Sequence, residues 1–309
     1  MCQSYSLCLI VSTIWYKNDM GSSKILIIGV KIRHFFIILS LNFENMTVKD
    51  ILNCITEIAP LHWQESYDNA GLQVGDLNAE AHKALICLDI TEAIVDEAIA
   101  KKCDLIVSHH PLIFRGLKHL TPETYIERAV MKAVKHDIAM ISMHTNLDNS
   151  YLGVSRVLAD RLGLKNLNLL QPSESEPEVC GAGMIGEFDT AMEEKDFLQL
   201  VAETIGSPCL RHSVLTGRKV KKVALCGGSG SPFMPDALRQ KVDAYLTADI
   251  KYHDFFVPEG NVLLVDGGHF ETEQFTKELI CELIRKKFPT FAAEIAETRT
   301  NAVYYFVKS

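Results

Sequence analysis

From Met46 onward the chain alternates short apolar runs with segments of helical periodicity, and that rhythm constrains its fold more than any other feature. Val48, Ile51, Leu52, Ile55 and Ile58 have the spacing of one helix face. The runs at 84–88, 105–107 and 138–142 have the length and composition of buried strands. Between them, Thr91 caps a helix reaching about residue 102, and Pro122 opens one reaching about residue 136. A further helix spans 153–162. This β-α-β order predicts a largely parallel sheet with right-handed crossovers. The rhythm resumes with strands at 183–188, 220–226, 244–247, 262–265 and 302–307, and helices at 193–205 and from the acidic stretch after Asp266 to about 287. The polar, proline-bearing segment 166–180 is the linker candidate. The expected architecture is α/β, with one lobe over 46–165, a second over 181–309, and a functional site in the cleft between them.

Residues 1–45 break the pattern. Their apolar runs, 25–30 and 35–43, are separated by Lys31, Arg33 and His34. Neither run reaches the roughly 18 to 20 residues of a membrane span. A secretory signal fits poorly, because no clear small-residue cleavage site is present. Met46 followed by Thr47, a helix-capping residue, reads as a natural start. The expectation is that 1–45 form an upstream extension or a disordered tail, with a membrane anchor as the weaker alternative. Mass spectrometry of the native N-terminus decides between them.

The net charge of -8 offers no electrostatic footprint for nucleic acid or an anionic membrane. None of the nine cysteines forms a C-x-x-C pair, and several lie in apolar runs. That points to reduced core thiols in a cytoplasmic protein, not to a disulfide frame or a structural zinc site.

Four polar clusters follow predicted strands: His109-His110, His144 to Asp148, Gly227 to Ser231, and Asp266 to Glu273. Open α/β sheets assemble sites at such strand ends. Adjacent imidazoles would point to opposite faces of a continuing strand, but a break at Pro111 lets both swing to one side. His269 and Glu273 are four apart at a helix start, which puts their Cβ atoms about 5 to 6 Å apart. Each cluster also has a plainer reading: a surface turn, an exposed helix start, or, for Asp148, a cap. Together, His109, His110, Asp148, His269 and Glu273 make a mixed nitrogen and oxygen set. It suits zinc, iron or manganese better than calcium or magnesium. With Glu273 bridging, the set fits two divalent ions about 3.5 to 4 Å apart, as in two-metal hydrolases. His144, Asp249 and His253 are candidates for proton transfer or substrate contact. The Gly227 to Ser231 loop could offer backbone N–H groups to an anion, or simply turn the chain. Cys226 could be a nucleophile, though a cysteine closing an apolar strand is more often core.

These residues resemble a known family, the NGG-interacting-factor-three-like or dinuclear metal centre proteins, also called GTP cyclohydrolase I type 2 homologues. The matching stretches are Asp68 to Gly75, Ser108 to Leu112, His144 to Asp148, Thr247 to His253 and Gly268 to Glu273, in the family's order. Ala248 departs from a frequent glycine. The resemblance implies two α/β domains around a dinuclear site, in the compact form without an inserted domain. It implies that His110 and Asp148 serve one ion, His109 and His269 the other, and Glu273 both. It also implies a toroidal homohexamer and a small-molecule substrate, a purine nucleotide in the named activity. Opening of a purine imidazole ring with loss of formate fits, as does phosphoester or amide hydrolysis. The alternative is a non-enzymatic metal-binding or regulatory protein.

Overall fold

The computed structural model describes residues 46–306, so the expectation for 1–45 lies outside it. The first helix, α1 (Val48–Thr56), is opened by a reciprocal cap. The Thr47 hydroxyl accepts the Asp50 N–H, and the Asp50 carboxylate accepts the Thr47 N–H. The predicted stripe of Val48, Ile51, Leu52 and Ile55 is buried. There follow β1 (Gly71–Val74), β2 (Lys83–Cys87), α2 (Glu92–Ala100), β3 (Leu105–Ser108), α3 (Tyr125–Lys135) and β4 (Ala139–Ser142). Next come α4 (Thr145–Asp148), α5 (Val154–Leu162), β5 (Lys165–Pro172), β6 (Gly181–Met192), α6 (Glu194–Ile205) and β7 (Arg211–His212). The chain ends with β8 (Val220–Leu225), α7 (Met234–Arg239), β9 (Ala244–Thr247), β10 (Leu263–Asp266), α8 (His269–Glu273), α9 (Thr276–Lys287) and β11 (Ala292–Ile295).

These elements form a mixed α/β fold around two sheets. The first has strand order β1-β4-β3-β2-β11, parallel except for the antiparallel edge strand β1. The second runs β5-β6-β8-β9-β10-β7, with β8, β9 and β10 parallel and the other strands antiparallel. The central strands are buried on both faces, which is why they read as unbroken apolar runs. Leu105 and Val107 of β3 pack into one core with α1 and α9, while Ile106 packs into another with α2 and α3. In the second sheet, Val223 and Leu225 face α5 and α6, and Ala224 faces α7.

Three elements differ from the sequence reading. The segment expected as a linker begins inside β5, an eight-residue strand that pairs with β6. Leu169 and Leu170 supply its buried positions within otherwise polar surroundings. The C-terminal third does not stay with the second sheet. Ile280, Cys281 and Ile284 of α9 pack against α1 in the first core, and β11 pairs with β2. Finally, the predicted strand near the C-terminus is absent: 296–306 carry no strand, and Val303, Tyr304 and Phe306 are exposed. The edge place beside β2 is already taken by β11.

Candidate metal centre

The residues that converge all leave the C-terminal ends of parallel strands. His109 and His110 follow β3, Asp89 follows β2, and His144 follows β4. From the second sheet, Asp249 follows β9, and His269 and Glu273 lie on α8 just after β10. The carboxyl edges of the two sheets meet here, with His110 Nε2 and His269 Nε2 3.3 Å apart.

Four imidazoles are fixed from behind in the same way. Each donates its Nδ1–H to an oxygen 2.7 Å away: His109 to the Met143 carbonyl, His110 to Asp89, His144 to Asp68 and His269 to Asp249. A carbonyl or an ionised carboxylate can only accept, so the tautomer of the neutral imidazole is fixed and its Nε2 faces inward with its lone pair. Asp68, Asp89 and Asp249 are all held below the usual carboxylate range. Burial opposes ionisation of Asp68 and Asp89, but bonds from His144 and Thr145, and from His110 and Thr300, outweigh it. At Asp249 the His269 bond dominates. Asp68 also accepts the Thr145 N–H and hydroxyl, so one carboxylate both orients His144 and starts α4.

The inward atoms form overlapping groups. His109 Nε2 lies 3.5 Å from Asp148 Oδ1 and 3.7 Å from Glu273 Oε1. His110 Nε2 and His269 Nε2 each lie 3.0 Å from Glu273 Oε2. His144 completes a third group with His109 and His110. His109 Nε2, Asp148 Oδ1 and Glu273 Oε2 are buried and have no hydrogen-bond partner among the described residues. A buried carboxylate without partners is costly unless a cation supplies them. The donor set therefore fits divalent metal. Burial disfavours charge on His110 and His269, yet the carboxylates on either side lift them to about 10 and about 11. Burial and the Glu273 carboxylate raise Asp148, whereas the surrounding imidazoles overcome burial and lower Glu273.

A family profile described as Duf34/NIF3 (NGG1p interacting factor 3) matches residues 46–302. This chain belongs to that family. A Clostridium acetobutylicum member named GTP cyclohydrolase 1 type 2 homolog is 32% identical over 232 residues, covering 74% of this chain and 86% of its own. A Clostridium perfringens protein of the same name is 31% identical over 265 residues, covering 85% and 100%. Among solved structures, a Staphylococcus aureus hypothetical protein matches with a TM-score of 0.79 at 28% identity, over 85% of this chain and all of its own. A Bacillus cereus protein related to NIF3 has a TM-score of 0.79 at 23% identity over 84% of this chain, a likeness of fold.

Within this Duf34/NIF3 frame, the structure groups the side chains differently from the split that the resemblance implied. Asp148 lies with His109, and His269 lies with His110. The cause is the pair of strands flanking β3. The Met143 carbonyl beyond β4 turns His109 towards α4, while Asp89 beyond β2 turns His110 towards the second sheet. Two proposed proton-transfer residues also move. Asp249 stands behind His269, with its backbone in the left-handed region (φ 55), and so orients an imidazole. His253 lies on an exposed turn against Tyr252 and Phe256, outside the converging groups.

In the glycine loop three N–H groups are taken internally, Gly227 by the Ser155 hydroxyl, Gly228 by the Thr272 hydroxyl and Gly230 by the Thr247 hydroxyl, as in a turn of the chain. Cys226 is buried in the core beside Tyr245, and burial pushes its thiol up. The sequence reading missed the roles of Asp68 and Asp89. Asp68 lay in plain view in the Asp68 to Gly75 stretch, and Asp89 directly after a strand, but neither is near its histidine in sequence.

Proposed function

We propose that this chain is a metal-dependent hydrolase holding two divalent ions, of zinc, iron or manganese type, and acting on a small molecule of the purine-nucleotide class. The substrate class follows the name GTP cyclohydrolase 1 type 2 homolog carried by its relatives. The observation that carries the proposal is the set of four imidazoles, each held at Nδ1, that converge with Asp148 and Glu273, each of which has a buried oxygen that accepts no hydrogen bond. In this reading His109, Asp148 and Glu273 hold one ion, and His110, His269 and Glu273 hold the other. Bound ions would lower the pKa of a water between them and polarise the bond to be cleaved.

The chain's own residues do the rest. Asp89, Asp249 and the Met143 carbonyl keep three imidazoles aimed. Glu273, 3% exposed, presents one oxygen to each side. His144 sits edge-on to both His109 and His110, with its Nδ1–H on Asp68. In this reading it is the residue that takes or returns a proton, held in place by Asp68. A toroidal homohexamer in the cytoplasm belongs to the same reading, and light scattering measures the assembly.

The test uses the purified, metal-loaded full chain. Formate release from GTP and phosphate release from generic phosphoesters are measured beside a His109→Ala, His110→Ala double variant. Turnover in the wild type and its loss in the variant are expected. Absence of any turnover that depends on those histidines overturns the reading. Metal analysis of Glu273→Ala is expected to show loss of both ions; retention of one would overturn bridging.

A further inference from the structure

The loop that follows the histidine pair leaves Pro111 and runs to the start of α3 without regular structure. From Phe114 to Leu120 every residue is exposed. Phe114, four residues after His110, is 40% exposed, and its ring meets that of His144 edge-on at 6.0 Å and 82°. Tyr67 approaches from the other side. It is 65% exposed, and its ring meets Phe114 at 6.4 Å and 60°. Both backbones are anchored close to the centre. Tyr67 precedes Asp68, which holds His144, and Asn69 donates from its amide to the Ile113 carbonyl at 2.6 Å. The two aromatic rings thus form a rim beside the His144 imidazole, left uncovered at a cost in exposed apolar surface.

Arg115 comes directly after Phe114, and Lys118 three residues later. Both are exposed, and neither has a hydrogen-bond or ion-pair partner among the described residues. The neighbouring His119, by contrast, is bound to Glu127. In a chain of net charge -8, two unpaired cations in the same exposed loop as Phe114, whose ring meets Tyr67 and His144, make a surface for a flat, anionic ligand. Aromatic faces accept a heterocycle without demanding one base, and a guanidinium accepts phosphate oxygens in pairs.

We propose that the 113–120 loop and Tyr67 form the substrate-recognition element of this site. Phe114 and Tyr67 receive the ring of a phosphorylated heterocycle, and Arg115, with Lys118, receives its phosphate. The proposal rests on the hydrolase reading for the position of the reacting atoms, but its own content is binding.

The experiment measures affinity by calorimetry on the metal-loaded full chain, with GTP, guanosine and inorganic triphosphate as separate probes. The wild type is expected to bind GTP more tightly than either fragment. Phe114→Ala is expected to weaken GTP and guanosine about tenfold, and triphosphate not at all. Arg115→Ala is expected to weaken GTP and triphosphate by up to about tenfold and leave guanosine unchanged. Metal content is measured on every variant and is expected to match the wild type. Unchanged GTP affinity in both variants, or no binding of GTP by the wild type, overturns the proposal. So does a loss of metal that accounts for the weakened binding. If GTP binds with this pattern but is never hydrolysed, the hydrolase reading fails while the recognition element stands. If the loop instead packs against a second copy of the chain, light scattering would show the variants dissociating, with nucleotide affinity unmoved. That outcome also overturns it.

Discussion

Gly228 shows how one backbone position serves the whole cluster. Its φ is +60, and a Cβ there would run into Glu273 Oε1. Gly206 has nearly the same conformation, φ +64, but a Cβ there would meet nothing. Alanine at either position carries the left-handed penalty of about 1 to 2 kcal/mol. Only Gly228→Ala must also push the Glu273 carboxylate aside. Gly206→Ala is therefore expected to keep its metal content and Gly228→Ala to lose it, with similar losses of thermal stability when both are compared metal-free. Equal metal content in the two would refute the steric role. At this scale the sequence was most legible where a strand ended in histidine. His109, His110, His269 and Glu273 could be picked out because residue type and local spacing were enough. Asp68 and Asp89 could not. Their partners lie 76 and 21 positions away, and an aspartate near a turn has many ordinary reasons to be there. His253 failed for the opposite reason: its spacing was suggestive, but the turn after Asp249 carries it into solvent.

Among the elements, the extended C-terminal stretch is tied to the site without being part of a sheet. Glu97 on α2 accepts the N–H groups of Glu297 and Thr298, at 2.8 and 2.9 Å. Further on, the Thr300 hydroxyl donates to Asp89, and the Asn301 amide donates to the buried Glu271. The stretch thus braces the carboxylate behind His110. Burial works against ionisation of Glu97, but bonds from Lys101, Thr298 and Glu297 hold it at about 2, below its ordinary 4.5. A carboxylate lowered in this way contributes stability that is complete above about pH 4.5 and is lost as the pH falls towards 2. Glu97→Gln is expected to melt about 2 to 4 °C below the wild type at neutral pH, as for roughly 1 kcal/mol. The gap should narrow between pH 4.5 and 3. A gap that stays constant over that range would show that the bonds, not the charge, carry the effect. Central strands such as β3 and β9 were legible because both faces are apolar. The short edge strands β7 and β11 were not, since their pairing depends on neighbours distant in sequence.

The second sheet is inserted into the first. After completing the second sheet, β5 to β10, the chain sends α9 and β11 back to the first, so the first sheet is not a single stretch of sequence. Periodicity reports local faces and could not reveal that return. One consequence is mechanical. His110 and Asp148 belong to the first sheet's edge, while His269 and Glu273 belong to the second. An ion held by His110, His269 and Glu273 would cross the junction and bind the folded chain alone. A ligand present at a hundred times its Kd then adds about 2.7 kcal/mol to stability. For a domain of this size that corresponds to about 5 to 10 °C in Tm. Treatment with a strong chelator is expected to lower the Tm of the metal-loaded chain by that amount, and added zinc or manganese to restore it. Glu273→Gln replaces the carboxylate common to both groups, so its Tm should be low from the outset and insensitive to chelator. Calorimetric scans of the two proteins, with and without chelator, make the comparison. A wild-type Tm unmoved by metal removal would mean that the junction is held by apolar contact and hydrogen bonds alone, and that the centre is not a structural tie between the sheets.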